Sequence, residues 1–317
     1  MSVNLSAVGV LSRVRSGFGF MLASRGWRRG VHRTSLILRR FGLGTRRMAG
    51  NLRAMHDVLE THGASATLFV PATVLRDHRR VLAPFLASPR IEWGVHSDYH
   101  TDLSRMEPAE QASHLENAVR LFVQAGVPFT GFRAPYLKTN GQTARLLEDL
   151  GGFVYDSSPC VLWDEVYPPS APSYGFVREF YRPRLHSETS SSVEAADGLV
   201  RIPVSLPDDD ILVDRDRLAP RAVLATWRAA LDAAHAAGEI FVLQLHPERG
   251  RELAGVLGAL LGRAREHSMW VTTLAEVAAR HRAGEVGWPS PHRSAFCVTG
   301  DLDAMAVADF ASRLKTW

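Results

Sequence analysis

Cysteine is nearly absent from this chain. It occurs twice in 317 residues, as Cys160 and Cys297, and neither lies in a CxxC pair. Two isolated thiols build no disulfide framework and point to a reducing compartment, hence a cytoplasmic location. No uninterrupted apolar run approaches the ~18 residues that a bilayer-spanning helix needs. No GxGxxG or Walker-type loop is present, which removes the usual phosphate cradles of nucleotide folds. The first dozen residues are apolar but carry no early basic region and no clear cleavage site, so a secretory signal is not expected.

Acid is missing where base is densest. Residues 13–53 hold eleven arginines, from Arg13 to Arg53, and no Asp or Glu. Two readings stay open: a patch making weak contact with phosphate or an anionic membrane surface, or a solvated helix face. Aromatic residues do not interleave with these arginines as a stacking platform requires, so nucleic acid is not expected as a partner. We take 1–34 as a basic extension and 35–317 as one domain; no internal repeat or second core is visible.

What is present is a regular alternation. Apolar, β-rich runs occur at Ala66–Ala72, Ile91–Val95, Thr130–Tyr136, Phe153–Ser157, Leu199–Leu206, Ile240–Leu245 and Trp270–Thr273. Their near-continuous apolarity suits parallel strands buried on both faces. Segments with helical spacing lie between them, at 46–61, 107–125, 141–150, 220–237 and 250–266. The pattern predicts an α/β fold, a closed or nearly closed (β/α) barrel of seven to eight units. The stretch Pro168–Gly198, rich in Pro, Ser and Tyr, is the longest loop and reads as functional or mobile.

Barrels of this kind assemble chemistry at the C-terminal ends of their strands. Here those ends carry His96 and His100, then Arg133 and Tyr136, Asp156 and Ser157, Asp208 to Asp210, and His246 with Glu248. Each alone has a plain structural reading: a satisfied core histidine, a salt-bridge arginine, a solvated acidic turn. Their order is more specific. ATLFVPATVL, EWGVHSDYHTDL, GFRAPYL, YDSS and LQLHPE together resemble the polysaccharide deacetylase family, the NodB-homology enzymes that are carbohydrate esterase family 4-like, over residues of about 50 to 280. The resemblance implies a distorted TIM-like barrel of the NodB type. It also implies that His96 and His100 are metal ligands, that Arg133 and Pro135 line the groove, and that His246 is the general acid.

That family opens with a strand carrying a base aspartate and a metal-binding aspartate. At the corresponding place this chain reads SLILRRFGLGTRRM, Ser35 to Met48, without a carboxylate. The missing pattern stands instead at the other end, in AFCVTGDLDA, Ala295 to Ala304, with Gly300 where the family has His. We therefore expect a circular permutation, with 295–317 supplying the first strand and helix of the barrel. Asp301 is then the base and Asp303 the third ligand. Two imidazoles and one carboxylate suit a catalytic divalent metal, zinc by default, with Co2+, Ni2+ or Fe2+ as alternatives. A backbone N–H near Tyr136 would serve the oxyanion. Asp209 or Asp156 would orient His246.

The resulting expectation is a metal-dependent amide hydrolase, an N-deacetylase acting on an N-acetylated sugar of a glycan or glycoconjugate. Three alternatives remain open: a hydrolase of a small non-sugar C–N bond on the same fold, a catalytically dead sugar-binding module, and a membrane-surface scaffold.

Overall fold

The run Ala66–Val70 is buried at every position, as a parallel strand covered on both faces must be. In the computed structural model, which describes residues 40–190, 193–196 and 198–310, it is strand β1. Helix α1 (Arg46–His62) precedes it and buries Met48, Leu52, Met55 and Leu59, whose three-to-four spacing puts all four on one face. There follow α2 (Ala72–Leu86), β2 (Ile91–Val95), α3 (Pro108–Ala125), β3 (Gly131–Phe132), α4 (Gly141–Leu150), β4 (Tyr155–Asp156), β5 (Cys160–Leu162), α5 (Tyr174–Phe180), β6 (Arg184–Leu185), β7 (Glu194–Ala196), β8 (Leu199–Arg201) and β9 (Val204–Leu206). The chain ends with α6 (Pro220–Ala237), β10 (Ile240–Gln244), α7 (Ala254–Glu266), β11 (Trp270–Thr272), α8 (Leu274–Arg282) and β12 (Ala295–Asp301).

All the strands join one sheet in the order β6-β5-β9-β10-β12-β1-β2-β3-β4-β8-β7, with β11 attached to β12. Every pairing is parallel except that of β7 with β8. The sheet curls. Leu68 and Val70 of β1, Phe241 and Leu243 of β10, and Phe296 and Val298 of β12 join one apolar cluster. Phe69, Val242 and Cys297, which alternate with them, join a second. Side chains alternate faces along a strand, so each strand feeds both layers and its run must be apolar throughout. This is the mixed α/β architecture of the NodB-type barrel.

The last strand in sequence is central in space. β12 lies between β1 and β10, with Thr67 opposite Thr299, Phe69 opposite Asp301 and Gln244 opposite Thr299. Bonds beyond the strand ends continue both pairings: Leu302 N donates to Phe69 O at 2.8 Å and Leu245 N to Thr299 O at 2.8 Å. Gly300 departs from the family pattern for a steric reason: a Cβ there would lie 2.3 Å from Leu245 O.

Several sequence-based boundaries move. The run 199–206 is two strands, because Pro203 has no N–H to continue a ladder; β8 pairs with β4, and β9 with β5 and β10. Only Gly131–Phe132 of the run 130–136 is strand, and Pro135–Leu137 forms a 3-10 turn with Tyr136 and Leu137 at left-handed φ of 60° and 57°. The stretch 168–198 contains α5, β6 and β7 rather than an unbroken loop. The helix expected after Asp303 appears as a 3-10 turn at 307–310, and 311–317 lie outside the described residues. So does the basic extension 1–34, with all six of its arginines. Among the described residues, no helix is long and apolar enough to cross a membrane.

Candidate active site

The two histidines are brought together by a strained turn. His96 directly follows β2, and Ser97 adopts a left-handed φ of 67°, a region costly for a residue with a Cβ. The turn is held from outside, since Ala72 N at the start of α2 donates to Ser97 O at 3.0 Å and Thr73 N to Asp98 O at 2.9 Å. The HSDYH segment thus supplies acceptors for the first orphan N–H groups of α2. Backbone strain and helix capping combine to set both rings on one side, with centroids 5.2 Å apart.

Asp303, just past β12, meets this pair. Its Oδ2 is 3.2 Å from His100 Nε2 and its Oδ1 is 3.6 Å from His96 Nε2. The donor atoms of the three residues all lie within 4.8 Å of one another. His96 Nδ1 is 2.7 Å from Arg133 O; a carbonyl can only accept, so Nδ1 carries the hydrogen and Nε2 presents its lone pair. That Nε2 is buried without a hydrogen-bond partner. A buried imidazole nitrogen oriented in this way, facing a carboxylate and a second imidazole, fits a divalent metal by geometry and by donor chemistry.

Asp301 sits beside the trio, its Oδ2 3.8 Å from His96 Nε2. Two donors fix it: Arg133 Nη1 at 3.0 Å from Oδ1 and Gln244 Nε2 at 2.9 Å from Oδ2. Arg133 is fully buried, and this corrects the expectation that it lines the groove. Its guanidinium lies behind Asp301, donating also to Thr299 Oγ1 and to the carbonyl and hydroxyl of Ser157. A charge taken wholly out of water needs such partners, and a rigid five-donor fork supplies them to four acceptors at once. Pro135 is buried, and the Tyr136 ring packs edge-on to His100 with centroids 4.4 Å apart.

The opposite member of the site is His246, just past β10. Asp209 Oδ1 takes a hydrogen bond from its Nδ1 at 2.6 Å, while Asp209 Oδ2 accepts from His246 N at 3.0 Å and from Arg249 Nε at 3.0 Å. Burial works to lower the His246 pKa, but Asp209 and Asp210 outweigh it and hold the imidazolium well above the ordinary histidine range. Asp208 is pushed up to about 7 by burial and by its two acidic neighbours. The triple aspartate is thus no solvated turn. Of the two candidate orienting acids, Asp209 is the one hydrogen-bonded to His246; the Asp156 carboxylate accepts instead from Ser158 and Arg201.

Gln244, Thr299, Arg249 and Arg40 belong to this environment and were not anticipated. Gln244 had a signal: it lies two residues before His246, on the same face of its strand. Arg40 had none.

Fold and site together define a NodB-type barrel with a candidate metal centre at the C-terminal strand ends. Residues 42–154 match the family model described as polysaccharide deacetylase. No curated protein matches the chain. Among solved structures, a Mycobacterium smegmatis protein assigned to the polysaccharide deacetylases is 24% identical with a TM-score of 0.59, covering 74% of this chain and 77% of that one. The Puue allantoinase is 19% identical with a TM-score of 0.56, covering 74% and 72%. A Pseudomonas aeruginosa PAO1 protein assigned to the polysaccharide deacetylases is 18% identical with a TM-score of 0.55, covering 73% of each chain. At these identities the likeness is one of fold.

Proposed function

We propose that the chain is a metal-dependent N-deacetylase that cleaves the acetamide of an N-acetylated amino sugar in a glycan or glycoconjugate. The observation that carries this reading is Asp303 facing His96 and His100 at 3.6 and 3.2 Å, with Asp301 alongside. His96, His100 and Asp303 would hold the ion, zinc by default with Co2+, Ni2+ or Fe2+ as alternatives, which supplies Lewis-acid polarisation of the amide carbonyl and acidifies water. Asp301 accepts the proton of the attacking water, oriented by Arg133 and Gln244. The C–O bond forms as the carbonyl becomes tetrahedral, and a backbone N–H near Tyr136 is the donor proposed for the developing oxyanion. The C–N bond then breaks as His246 delivers a proton from Nε2 to the leaving nitrogen, giving acetate and a free amine. Asp209 fixes the tautomer of that imidazole through Nδ1 and stabilises its cationic form.

The place of β12 between β1 and β10 supports reading the chain as a circular permutation, its opening strand moved to the end. We also read 35–317 as one functional domain.

A second reading is hydrolysis of a small non-sugar C–N bond, because an allantoinase shares the fold. Acetate release from N-acetylated oligosaccharides, measured with and without chelator, tests the first reading. Turnover of cyclic or linear small amides without acetate release would favour the second.

A further inference from the structure

The carboxylates around the proposed proton donor are held by two guanidiniums. One, Arg249, is local. Its Nε binds Asp209 at 3.0 Å and its Nη2 binds Asp210 and Asp214, each at 2.9 Å. The other comes from 170 residues away in sequence: Arg40 Nη2 reaches Asp210 Oδ1 at 2.6 Å and Glu248 Oε1 at 2.6 Å, and its Nη1 reaches Asp214 Oδ2 at 2.8 Å. Asp210 Oδ1 is shared by both arginines, so the fork of Arg40 closes a ring of ion pairs joining the turn after β9 to the turn after β10.

We infer that Arg40 is a positioning residue for His246, and that the segment before α1 is part of the acid's mount. The geometry gives Arg40 two tasks. First, it ties Glu248, two residues past His246, to Asp210, one residue past Asp209; the pair Asp209–His246 is thereby clamped from both flanks. Second, it neutralises carboxylates that would otherwise crowd one imidazole. Glu248 has a side chain only 1% exposed, and burial raises its pKa while Arg40 acts to lower it. Without Arg40 that carboxylate is left in a dry place with one anchor removed.

The groups facing His246 come from four directions. Glu248 and Arg249 lie on its own turn, and Gln244 on β10. Asp208, Asp209 and Asp210 lie after β9, with Asp214 behind them on Arg249. Arg40 is the group contributed from the N-terminal side. Among them the cations are Arg40 and Arg249. Removing one leaves the acidic majority stronger, and an acid surrounded by more negative charge releases its proton less readily.

The inference rests on His246 being the proton donor, but its main readout needs neither substrate nor metal. Carbon-13 labelling of histidine Cε1 gives one resonance for each of the 13 histidines, and His246→Asn identifies the one from His246. In Arg40→Gln the His246 midpoint should rise by roughly half a pH unit or more. The basic limb of the deacetylation profile should rise with it, and kcat should fall while KM moves little. Arg40→Lys should return the midpoint toward wild type yet leave kcat several-fold low, because a single ammonium cannot make the fork's three bonds. A midpoint that stays put or falls in folded Arg40→Gln would overturn the inference. Should that variant not fold, Arg40→Lys decides alone: native kcat would overturn the positioning role, and reduced kcat with a native midpoint would support it. If the midpoint moves as expected but no variant releases acetate, the proposed reaction fails and the positioning of His246 stands.

Discussion

Asp303 Oδ2 lies 3.2 Å from His100 Nε2, although the two residues stand 203 positions apart in sequence (303 − 100). This contact exists because β12 fills the slot between β1 and β10 and delivers its C-terminal carboxylates to the strand ends where His96 and His100 stand. A tail that merely packed on the surface would have no reason to bury every residue from Ala295 to Asp301.

The histidine pair should be indispensable for the metal. His96→Ala or His100→Ala, purified and dialysed, should lose the ion and all measurable acetate release while keeping the far-UV spectrum of the folded protein, since each removes one of three protein ligands. Full metal retention by either variant would mean that the pair is structural.

Arg133 should be a supporting residue with a large structural cost. It is fully buried with Asp301 as its charge partner, so Arg133→Met strands a carboxylate and should destabilise the fold by ~3–5 kcal/mol. Chemical denaturation measures this. Substrate affinity in any folded fraction should change less than turnover, because the side chain lies behind Asp301 and not in the groove. A selective rise in KM would return Arg133 to the groove.

The proton donor should respond to pH in a direction set by its neighbours. His246→Ala should lower kcat by ~10²–10⁴-fold with metal content unchanged. Asp209 and Asp210 overcome burial to raise the His246 pKa, so activity should persist above the ordinary histidine range and fall at higher pH. Asp209→Asn removes the main support and should move that basic limb down. The same shift has a stability sign: a histidine whose folded pKa exceeds its unfolded value stabilises the fold fully at pH below the unfolded value. That contribution is lost as pH rises through the folded one. Thermal unfolding of Asp209→Asn should therefore lose its difference from wild type toward alkaline pH.

The close approach at Gly300 gives a test of the strand itself. Gly300→Ala places a methyl 2.3 Å from Leu245 O, and since that obstacle is backbone, β10 and β12 must part. The variant should express poorly or unfold well below wild type, and deleting the chain after Ser294 should do worse by exposing edges of β1 and β10. Wild-type melting of Gly300→Ala would contradict the placement of β12.

The parts of this architecture that were legible in sequence are those written along single strands. Runs such as Ala66–Val70 and Ile240–Gln244 announce themselves because both faces are buried, and where a polar residue closes a run, as His246 does after Ile240–Leu245, it is read off directly. The family signatures made the order of those residues specific. What was not legible is made between elements. Pro203 marks the break in Leu199–Leu206, but the different partners of its two strands depend on how the sheet curls. The turn of Arg133 away from the groove depends on Asp301, Ser157 and Thr299 meeting behind it. The choice of Asp209 over Asp156 was likewise fixed by Arg201, which claims Asp156 across the β4–β8 pair. Arg40 lies in a run of arginines with no distinguishing neighbour, and only the fold selects it.

The most direct test of the account is the metal content of the two C-terminal aspartate variants. Mass-spectrometric metal analysis of dialysed wild type should give about one divalent ion per chain. Asp303→Ala should give nearly none and release no acetate, because it removes the carboxylate ligand. Asp301→Asn should keep the ion while losing turnover, because it removes only the proposed base. Asp303→Ala holding a full equivalent of metal would contradict the claim that the final strand completes the site.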